Sequence, residues 1–391
     1  MTALGPTLRR RFLLEPGTTF LNHGSFSTTP RTVLAAAARW QRRMEANPDR
    51  FMREVLPCEL RKAAAQLANF VNVKEKDLVF VENATAGVNA VLRSLEFRPD
   101  DEIISTGLGY NAVRQAIRFV CERTGAKSVE VKIGLPLFTF DAFLAEIKKK
   151  LEKKTKLLVI DHISSPTGLI FPVKRIAALA RARGVPVLVD GAHAPGQIAL
   201  DVGALGVDWY AGNCHKWLFA PKGSGFLWAR RSAQRSLHPL AISHGYGKGL
   251  AAEFDWTGTR DFSAWLAVPE GLAFLRKLNP VRVRNRNHRL VTDWARRVSA
   301  AWGTPVDGPP ALHGSMMAVR LPARLQRSDP ARLMTEILAR HRTVVAVNSV
   351  GGTLWARISA QCYHAAGDCG PILKLGTRGR GPRRRSPQQP Q

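Results

Sequence analysis

The sequence predicts an α/β protein in which a mostly parallel central sheet has helices on both faces and is followed by a smaller α+β domain. Short apolar runs such as KLLVID (156–161) and VPVLVD (185–190) are typical of strands that are buried on both faces. Amphipathic segments separate these runs, as helical crossovers do in parallel sheets. After about residue 265 the alternation gives way to longer helices and isolated strands.

The first elements follow from local spacing and from residues that begin or end helices. Pro30 suits the first turn of a helix in which Val33, Ala37 and Trp40 lie at helical spacing, and Gly125 is expected to close a later helix. The predicted elements are, in order, helices at 31–46 and 57–70, a strand at 78–81, a helix at 84–95, a strand at 101–106 and a helix at 111–125.

The later elements define the predicted domain organisation. They are a strand at 156–161, a helix at 173–184, strands at 185–190, 208–213 and 225–230, helices at 265–277 and 283–300, a strand at 316–321, a helix at 331–341, and strands at 344–348 and 354–359. We therefore expect an N-terminal arm over 1–30, a large α/β domain over 31–264, a small α+β domain over 265–370, and a basic tail over 371–391 whose composition predicts disorder.

Composition narrows the class of protein. With 391 residues, 45% of them hydrophobic and 23% charged, the chain has the balance of a globular protein. It contains no apolar run of ~18 residues, so no membrane-spanning helix is expected. The five scattered cysteines form no CxxC pair and predict neither a disulfide scaffold nor a metal site. No apolar run follows the basic start, so cytoplasmic location is the expectation.

The charge of the chain raises a different possibility. Lysine and arginine number 58 against 30 acidic residues, a net charge of +28, which is compatible with a polyanionic partner. The basic residues are dispersed rather than interleaved with aromatic residues, and no zinc-finger or RNP-type spacing occurs. Nucleic acid is therefore an unlikely partner, and a basic nucleic-acid-binding scaffold remains the non-enzymatic alternative.

Candidate chemistry lies where predicted strands end. Ligands of open α/β sheets gather at the carboxyl ends of strands, where Asp161 and Asp190 are placed, each followed by a histidine within three residues. Lys216 lies in the loop GNCHKW (212–217), between a histidine and a tryptophan. A lysine that is partly desolvated near other cationic groups favours its amine form, which carbonyl-condensing lysines need.

These elements in this order resemble the class V aminotransferase family, pyridoxal 5'-phosphate (PLP) enzymes of fold type I. The resemblance rests on D-x-A-H-A-x-G from residue 190, followed by H-K and then P-K-G, and it covers residues from about 18 to about 361. Further segments are similar to the isopenicillin-N-epimerase-like branch: LNHGSF (21–26), NPDRF (47–51), ENATAGVN (82–89), SSPTG (164–168), SHGYG (243–247) and DWTGTRD (255–261).

The resemblance implies roles around the cofactor. Lys216 would hold PLP as a Schiff base, the internal aldimine, and Asp190 would keep the ring nitrogen protonated. His193 would lie beside the ring near its phenolic oxygen, and Tyr110 would stack on the ring. The phosphate group suits a helix N-terminus, and the residues implied there are Thr85, the Ala86 amide, Asn213, His215 and Thr259, the last contributed by a second subunit, which implies a homodimer.

The resemblance also implies an amino-acid-type small-molecule substrate. Arg357 would bind its carboxylate through a bidentate fork, and Asn22 and His23 would bind substrate near the entrance. Lys216 would remove the α-proton to give a quinonoid intermediate, with epimerisation favoured and a C–S lyase or transaminase as alternatives. The stretch 347–356 lacks the nucleophilic cysteine of desulfurases, so desulfurase activity is not expected, and Cys362 is expected to be structural.

Overall fold

The structure is a computed structural model that describes residues 3–137 and 139–376. Its strands are β1 (Thr19–Phe20), β2 (Leu78–Val81), β3 (Glu102–Thr106), β4 (Lys127–Val131), β5 (Thr155–Asp161), β6 (Val187–Gly191), β7 (Trp209–Asn213), β8 (Gly225–Ala229), β9 (Met316–Arg320), β10 (Thr343–Val344), β11 (Ala346–Val350) and β12 (Thr353–Ser359). Within those described residues, no helix is long and apolar enough to cross a bilayer.

The α-helices alternate with the strands through the first two-thirds of the chain. They are α1 (His23–Phe26), α2 (Arg31–Ala46), α3 (Pro48–Arg50), α4 (Leu56–Phe70), α5 (Ala84–Ser94), α6 (Asn111–Thr124), α7 (Asp141–Lys150), α8 (Val173–Arg181), α9 (Leu250–Phe254), α10 (Ser263–Leu266), α11 (Val268–Leu278), α12 (Pro280–Trp302), α13 (Pro330–His341) and α14 (Gly370–Leu373).

The large sheet has seven strands in the order β2-β8-β7-β6-β5-β3-β4. The strands from β7 through β6, β5 and β3 to β4 pair in parallel, and β8 runs antiparallel to both β7 and β2. The predicted mostly parallel sheet is confirmed. Because β5, β6 and β7 are parallel neighbours, their carboxyl ends meet at one edge of the sheet.

Helices cover both faces of this sheet, which explains its uninterrupted apolar runs. Along β5, Leu158 and Ile160 contribute to the core on one face, together with helices α4 and α8. Leu157 and Val159, one position out of phase, contribute to the core on the other face with α5 and α6. Successive side chains of a strand point to opposite faces, so a strand buried on both sides must be apolar at every position.

A smaller antiparallel sheet, in the order β11-β12-β9, packs against α12 and α13. Its own core includes Trp294, Val298 and Ile358. The N-terminal segment is joined to this part of the molecule, because β1 pairs in parallel with β10 at Thr19 and Thr343. The beginning of the chain therefore lies beside the small sheet.

The structure differs from the predicted elements in several places. Strand β4 and helix α7 were not predicted; β4 is an edge strand with two of its five residues exposed, and it alternates polar with apolar residues from Ser128 to Val131. The predicted helix at 265–277 is divided at Ala267 into α10 and α11. The predicted disordered tail was placed too early, because Ile372 and Leu375 are buried in the small core; residues 377–391 of that tail lie outside the described residues.

Candidate active site

Two buried carboxyl groups lie side by side where β5 and β6 end. Asp161 and Asp190 are partners across the parallel ladder, and each is 4% exposed. Asp190 Oδ1 accepts a hydrogen bond of 2.9 Å from the Ala192 N–H, and burial raises the pKa of its carboxyl. The two apolar strands thus deliver a pair of acids to one point at the edge of the sheet.

Lys216 lies in the loop that connects β7 to the antiparallel strand β8. Its side chain is buried, with Nζ 3.2 Å from His193 Nε2 and 6.0 Å from the centre of the Tyr110 ring. Burial lowers the pKa of Lys216 to about 8, the charge of Arg357 acts in the same direction, and Asp190 opposes both. A sizeable fraction of this amine is therefore uncharged near neutral pH.

His193 stands between the lysine and the loop that follows β5. Its Nε2 also lies 3.3 Å from Ser165 Oγ, while its buried Nδ1 has no hydrogen-bond partner among the described residues. Burial, and then the charge of Lys216, hold the pKa of His193 well below its usual range, so the ring is neutral. An unpartnered buried nitrogen in such a site is available to a bound group.

The helix that would receive the phosphate is α5. Asn83 caps it by accepting the Ala86 N–H at 2.9 Å, and Asn213 Oδ1 accepts the Ala84 N–H at 2.8 Å. The predicted contact through the Ala86 amide therefore competes with an existing cap. A cavity of about 410 Å³ borders this helix start and is lined in part by Thr85. Neither Lys216 nor Asp190 lines that cavity.

His215 and Thr259 are the two further residues that were predicted at the phosphate end. His215 precedes Lys216, its Nδ1 lies 3.0 Å from the Ser224 carbonyl oxygen, and burial lowers its pKa to about 4. Thr259 lines a separate cavity of about 580 Å³ with His244 and Trp256. A single copy of the chain therefore does not bring Thr259 to Lys216 through that cavity.

Arg357, on β12, reaches the site from the small sheet. Its Nη2 donates to Asn22 Oδ1 at 2.9 Å and to Ser25 Oγ at 2.8 Å, and its Nη1 donates to the Ser165 carbonyl oxygen. The side chain is buried, its Nε lacks a partner, and no carboxylate pairs with it in the part of the chain described. A buried guanidinium held by neutral groups alone is a strong site for a carboxylate.

Asn22 and His23 take positions that differ from the predicted entrance. Asn22 holds the Arg357 guanidinium, as described above. His23 is fully buried, with Nε2 3.1 Å from the Lys216 carbonyl oxygen and Nδ1 3.1 Å from the Tyr363 hydroxyl. Burial lowers the pKa of His23 to about 3, so its ring is neutral. His23 therefore contacts the backbone carbonyl of Lys216 and supports this part of the loop.

Gln197 is a buried contact residue that the sequence did not single out. Its Nε2 donates to the His193 carbonyl oxygen at 2.8 Å, and its Oε1 accepts the Ser315 N–H at 2.8 Å. Gln197 thereby ties the loop after β6 to the segment that leads into β9. Ser165, the other such residue, lies within SSPTG, and this motif was the one signal that pointed to it.

The residues present fit PLP. Lys216 Nζ lies 6.0 Å from the centre of the Tyr110 ring and 3.2 Å from His193 Nε2, and Asp190 lies near the end of the neighbouring strand β6. Among the described residues, His193 Nδ1 has no hydrogen-bond partner and Arg357 has no carboxylate partner. The cofactor and an amino-acid substrate would supply these partners. Among residues 3–137 and 139–376, no group of three or more His, Cys, Asp or Glu side chains is arranged to hold a metal ion.

Comparisons with known proteins agree with this geometry. Residues 19–368 match the model of the family Aminotransferase class-V. The chain is 38% identical over 330 residues to "Putative L-cysteine desulfhydrase 1" of Oryza sativa subsp. japonica, which covers 80% of this chain and 68% of the rice protein. It is 34% identical over 375 residues to isopenicillin N epimerase of Streptomyces clavuligerus, covering 91% of this chain and 93% of the epimerase.

A solved structure shows the same fold. It is a lysine-to-alanine variant of C-DES with glycine covalently linked to the PLP cofactor, and it superposes with a TM-score of 0.82 at 21% identity, covering 95% of this chain and 99% of C-DES. The family match spans both sheets and the site between them. The chain therefore belongs to the class V aminotransferase family and has its fold-type I architecture.

Proposed function

We propose that this chain is a PLP-dependent enzyme that acts at the α-carbon of an amino acid, with Lys216 as the residue that binds the cofactor covalently. The observation that carries the proposal is the buried Lys216 amine, which lies between His193 and Tyr110 and whose pKa is lowered to about 8. A lysine must be uncharged to condense with an aldehyde, and burial here provides that form near neutral pH.

The chain's residues divide the work of the site. When bound, PLP supplies an electron sink for the charge that develops at the substrate α-carbon. Asp190 would hold a proton at the ring nitrogen, and His193 would bond the ring's oxygen substituent. Tyr110 would stack on the ring, and Thr85, at the start of α5, would contact the phosphate. Lys216, once released from the cofactor, is the base that takes the α-proton.

Arg357 supports an amino-acid substrate. Its guanidinium is already oriented by Asn22 and Ser25, and a substrate carboxylate would supply the missing counterion. Because the guanidinium fork fixes a carboxylate in one plane, it would also present the α-hydrogen to Lys216 in a defined orientation.

Among reactions of this type, we favour α,β-elimination of a thiol from an L-cysteine-type substrate. Elimination requires one base, and Lys216 provides it; the leaving sulfur takes the electron pair of the broken C–S bond. This ranking places elimination above epimerisation, whereas the sequence motifs favoured epimerisation. Support comes from the rice relative named for L-cysteine desulfhydrase activity and from C-DES, described as a cystine C–S lyase.

Epimerisation is the second candidate. In addition to the Lys216 base, it needs an acid on the face of the cofactor ring opposite Lys216. The Tyr110 phenol, whose ring centre lies 6.0 Å from Lys216 Nζ, would be that acid, and the Streptomyces relative is named isopenicillin N epimerase. A desulfurase mechanism is disfavoured, because it needs a reactive cysteine near the substrate. Cys214 and Cys362 are fully buried, and burial raises the pKa of both thiols.

The two candidates give different products. We expect the PLP-loaded protein to release sulfide, pyruvate and ammonia from L-cysteine in equal amounts. An amino acid without a β leaving group, such as L-alanine, should only exchange its α-hydrogen in D₂O and retain its configuration. Accumulation of the D-isomer, with no sulfide from L-cysteine, would instead establish the epimerase, and neither result would appear in a protein without enzymatic function.

The lowered pKa of Lys216 predicts how cofactor uptake depends on pH. The rate at which the apoprotein binds PLP should rise with pH as the amine loses its proton, reach half its maximum near the Lys216 pKa of about 8, and level off above it. An ordinary lysine, with a pKa near ~10.4, would give a rate that still climbs steeply at about pH 9. Stopped-flow absorbance measures these rates, and a profile of the second kind would contradict the burial argument.

A homodimer completes the proposal. Large apolar side chains are exposed between β8 and α9: Leu240 at 46%, Ile242 at 58% and Tyr246 at 63%. Thr259 lines a cavity with His244, which lies between Ile242 and Tyr246 in the chain, and we infer that it reaches the phosphate of a second copy. Light scattering of the cofactor-loaded protein measures this assembly directly.

A further inference from the structure

Asp161 is a buried acid that the proposed reaction leaves without a role. It is the last residue of β5, it pairs across the parallel ladder with Asp190, and it is as buried as Asp190. Side chains at paired positions of neighbouring parallel strands lie on the same face of the sheet. The carboxyl groups of Asp161 and Asp190 therefore share one edge of the site, where only Asp190 is needed at the ring nitrogen.

The Asp161 carboxyl also contacts the turn that leads into α6. The Tyr110 backbone N–H lies near enough to lower the pKa of this carboxyl, and Asp161 Oδ2 lies close to Gly109, where an added Cβ would be 3.6 Å away. Tyr110 is the residue whose ring faces Lys216. Its turn is otherwise held by a 3.0 Å hydrogen bond from Gly109 N–H to the Thr106 carbonyl oxygen. Asp161 thus links the end of β5 to the placement of the Tyr110 ring.

Two adjacent buried carboxyl groups cannot both be ionised at low cost. Burial raises the pKa of both, and the charge of Asp190 raises that of Asp161 further, to well above its usual value. Lys216 favours ionisation of both groups, and the Tyr110 N–H favours ionisation of Asp161. Asp190 Oδ1 also accepts the Ala192 N–H at 2.9 Å, a contact that stabilises its ionised form, so we infer that Asp190 is the ionised member of the pair and that Asp161 keeps its proton.

We propose that Asp161 is a positioning residue that acts in its neutral form, holding the Tyr110 turn against the cofactor ring while the negative charge stays on Asp190. This inference rests on the proposed PLP function. A neutral carboxyl is required because it offers an oxygen to the Tyr110 N–H without placing a second negative charge beside Asp190. The amide of asparagine has the same shape and the same acceptor, and it can never carry that charge.

Variants with asparagine or leucine at position 161 separate the effect of the hydrogen-bond acceptor from the effect of the negative charge. In the PLP-loaded protein, Asp161→Asn should keep the visible circular dichroism of the cofactor and a cofactor Kd within about twofold of the unmutated protein. Asp161→Leu fills a similar volume but leaves the Tyr110 N–H unpaired, and should weaken the dichroism and raise the Kd about tenfold, the effect of about one hydrogen bond. Asp161→Ala replaces the leucine variant if the latter does not fold.

Asp208 provides the matched control. It accepts the Val187 N–H at 2.8 Å at the opposite end of the sheet, so Asp208→Leu should lower the melting temperature and leave the cofactor dichroism unchanged. The inference is overturned if Asp161→Asn loses the cofactor signal as leucine does, which would mean that an ionised group is needed. It is equally overturned if the leucine and alanine variants match the unmutated protein. Absence of any cofactor band in the unmutated protein would instead refute the proposed function itself.

Discussion

Lys216→Ala is expected to remove the visible Schiff-base absorbance of the PLP-incubated protein, measured without added amino acid. It should also lower sulfide release from L-cysteine by about 10³-fold or more, because the variant loses both the covalent attachment of the cofactor and the base at the α-carbon. The substitution removes a side chain whose Nζ lies 3.2 Å from His193 Nε2 and leaves the surrounding hydrogen bonds to backbone groups intact.

Lys222→Ala is the control for this experiment. Lys222 lies in the same loop with its side chain exposed, partial desolvation lowers its pKa, and its Nζ is 3.5 Å from the Ser27 carbonyl oxygen. Its replacement should leave the Schiff-base absorbance in place. A Lys216→Ala protein that keeps the absorbance, or a Lys222→Ala protein that alone loses it, would show that the reactive amine has been assigned to the wrong lysine.

Arg357→Ala is expected to raise KM for L-cysteine by about 10²-fold or more. A substrate carboxylate would accept two charge-assisted hydrogen bonds from the guanidinium, each contributing ~1.5–3 kcal/mol, and ~1.4 kcal/mol corresponds to tenfold in affinity. The Schiff-base absorbance should persist, because no contact of Arg357 bonds the Lys216 side chain. Steady-state sulfide release over a range of cysteine concentrations measures the change.

Two controls isolate the carboxylate. Arg357→Lys keeps the charge and loses the bidentate fork, so its KM should fall between those of the other two proteins. Cysteamine has the amine and the thiol of cysteine but lacks its carboxylate. Its amine should react with the cofactor aldehyde, and its affinity for the PLP-loaded protein should be similar in the presence or absence of the guanidinium. If Arg357→Ala weakens the binding of cysteamine and the binding of cysteine equally, Arg357 supports the fold of the site and does not bind the substrate carboxylate.

Much of the fold was predictable because its strands are buried on both faces. A run such as KLLVID has one interpretation in a chain of this composition, and β5 occupies Thr155–Asp161. Strand β4 lacks an uninterrupted apolar run, because an edge strand with one solvent-exposed face resembles a polar loop in sequence. The end of the chain was misjudged for a related reason: composition suggested disorder, whereas Ile372 and Leu375 each fill a space beside α12 that local sequence cannot reveal.

The candidate site divides in the same way. Asp190, His193 and Lys216 lie in two short motifs, and the structure brings them together as strand ends and loops of one sheet. His23 was expected near an entrance because it follows Asn22, but contacts with Tyr363 and with the Lys216 carbonyl, both distant in sequence, place it behind the lysine. Gln197 is positioned by Ser315 from the small sheet. Such contacts between remote segments depend on packing that no local pattern encodes.

Covalent attachment of PLP to the Lys216 amine through a carbon–nitrogen double bond can be detected by borohydride reduction of the PLP-loaded protein, followed by proteolysis and peptide mass spectrometry. We expect a single pyridoxyl adduct on the peptide that contains Lys216, in stoichiometric yield. Stoichiometric labelling of a different lysine, or no label on a folded protein saturated with PLP, would show that Lys216 does not bind the cofactor covalently.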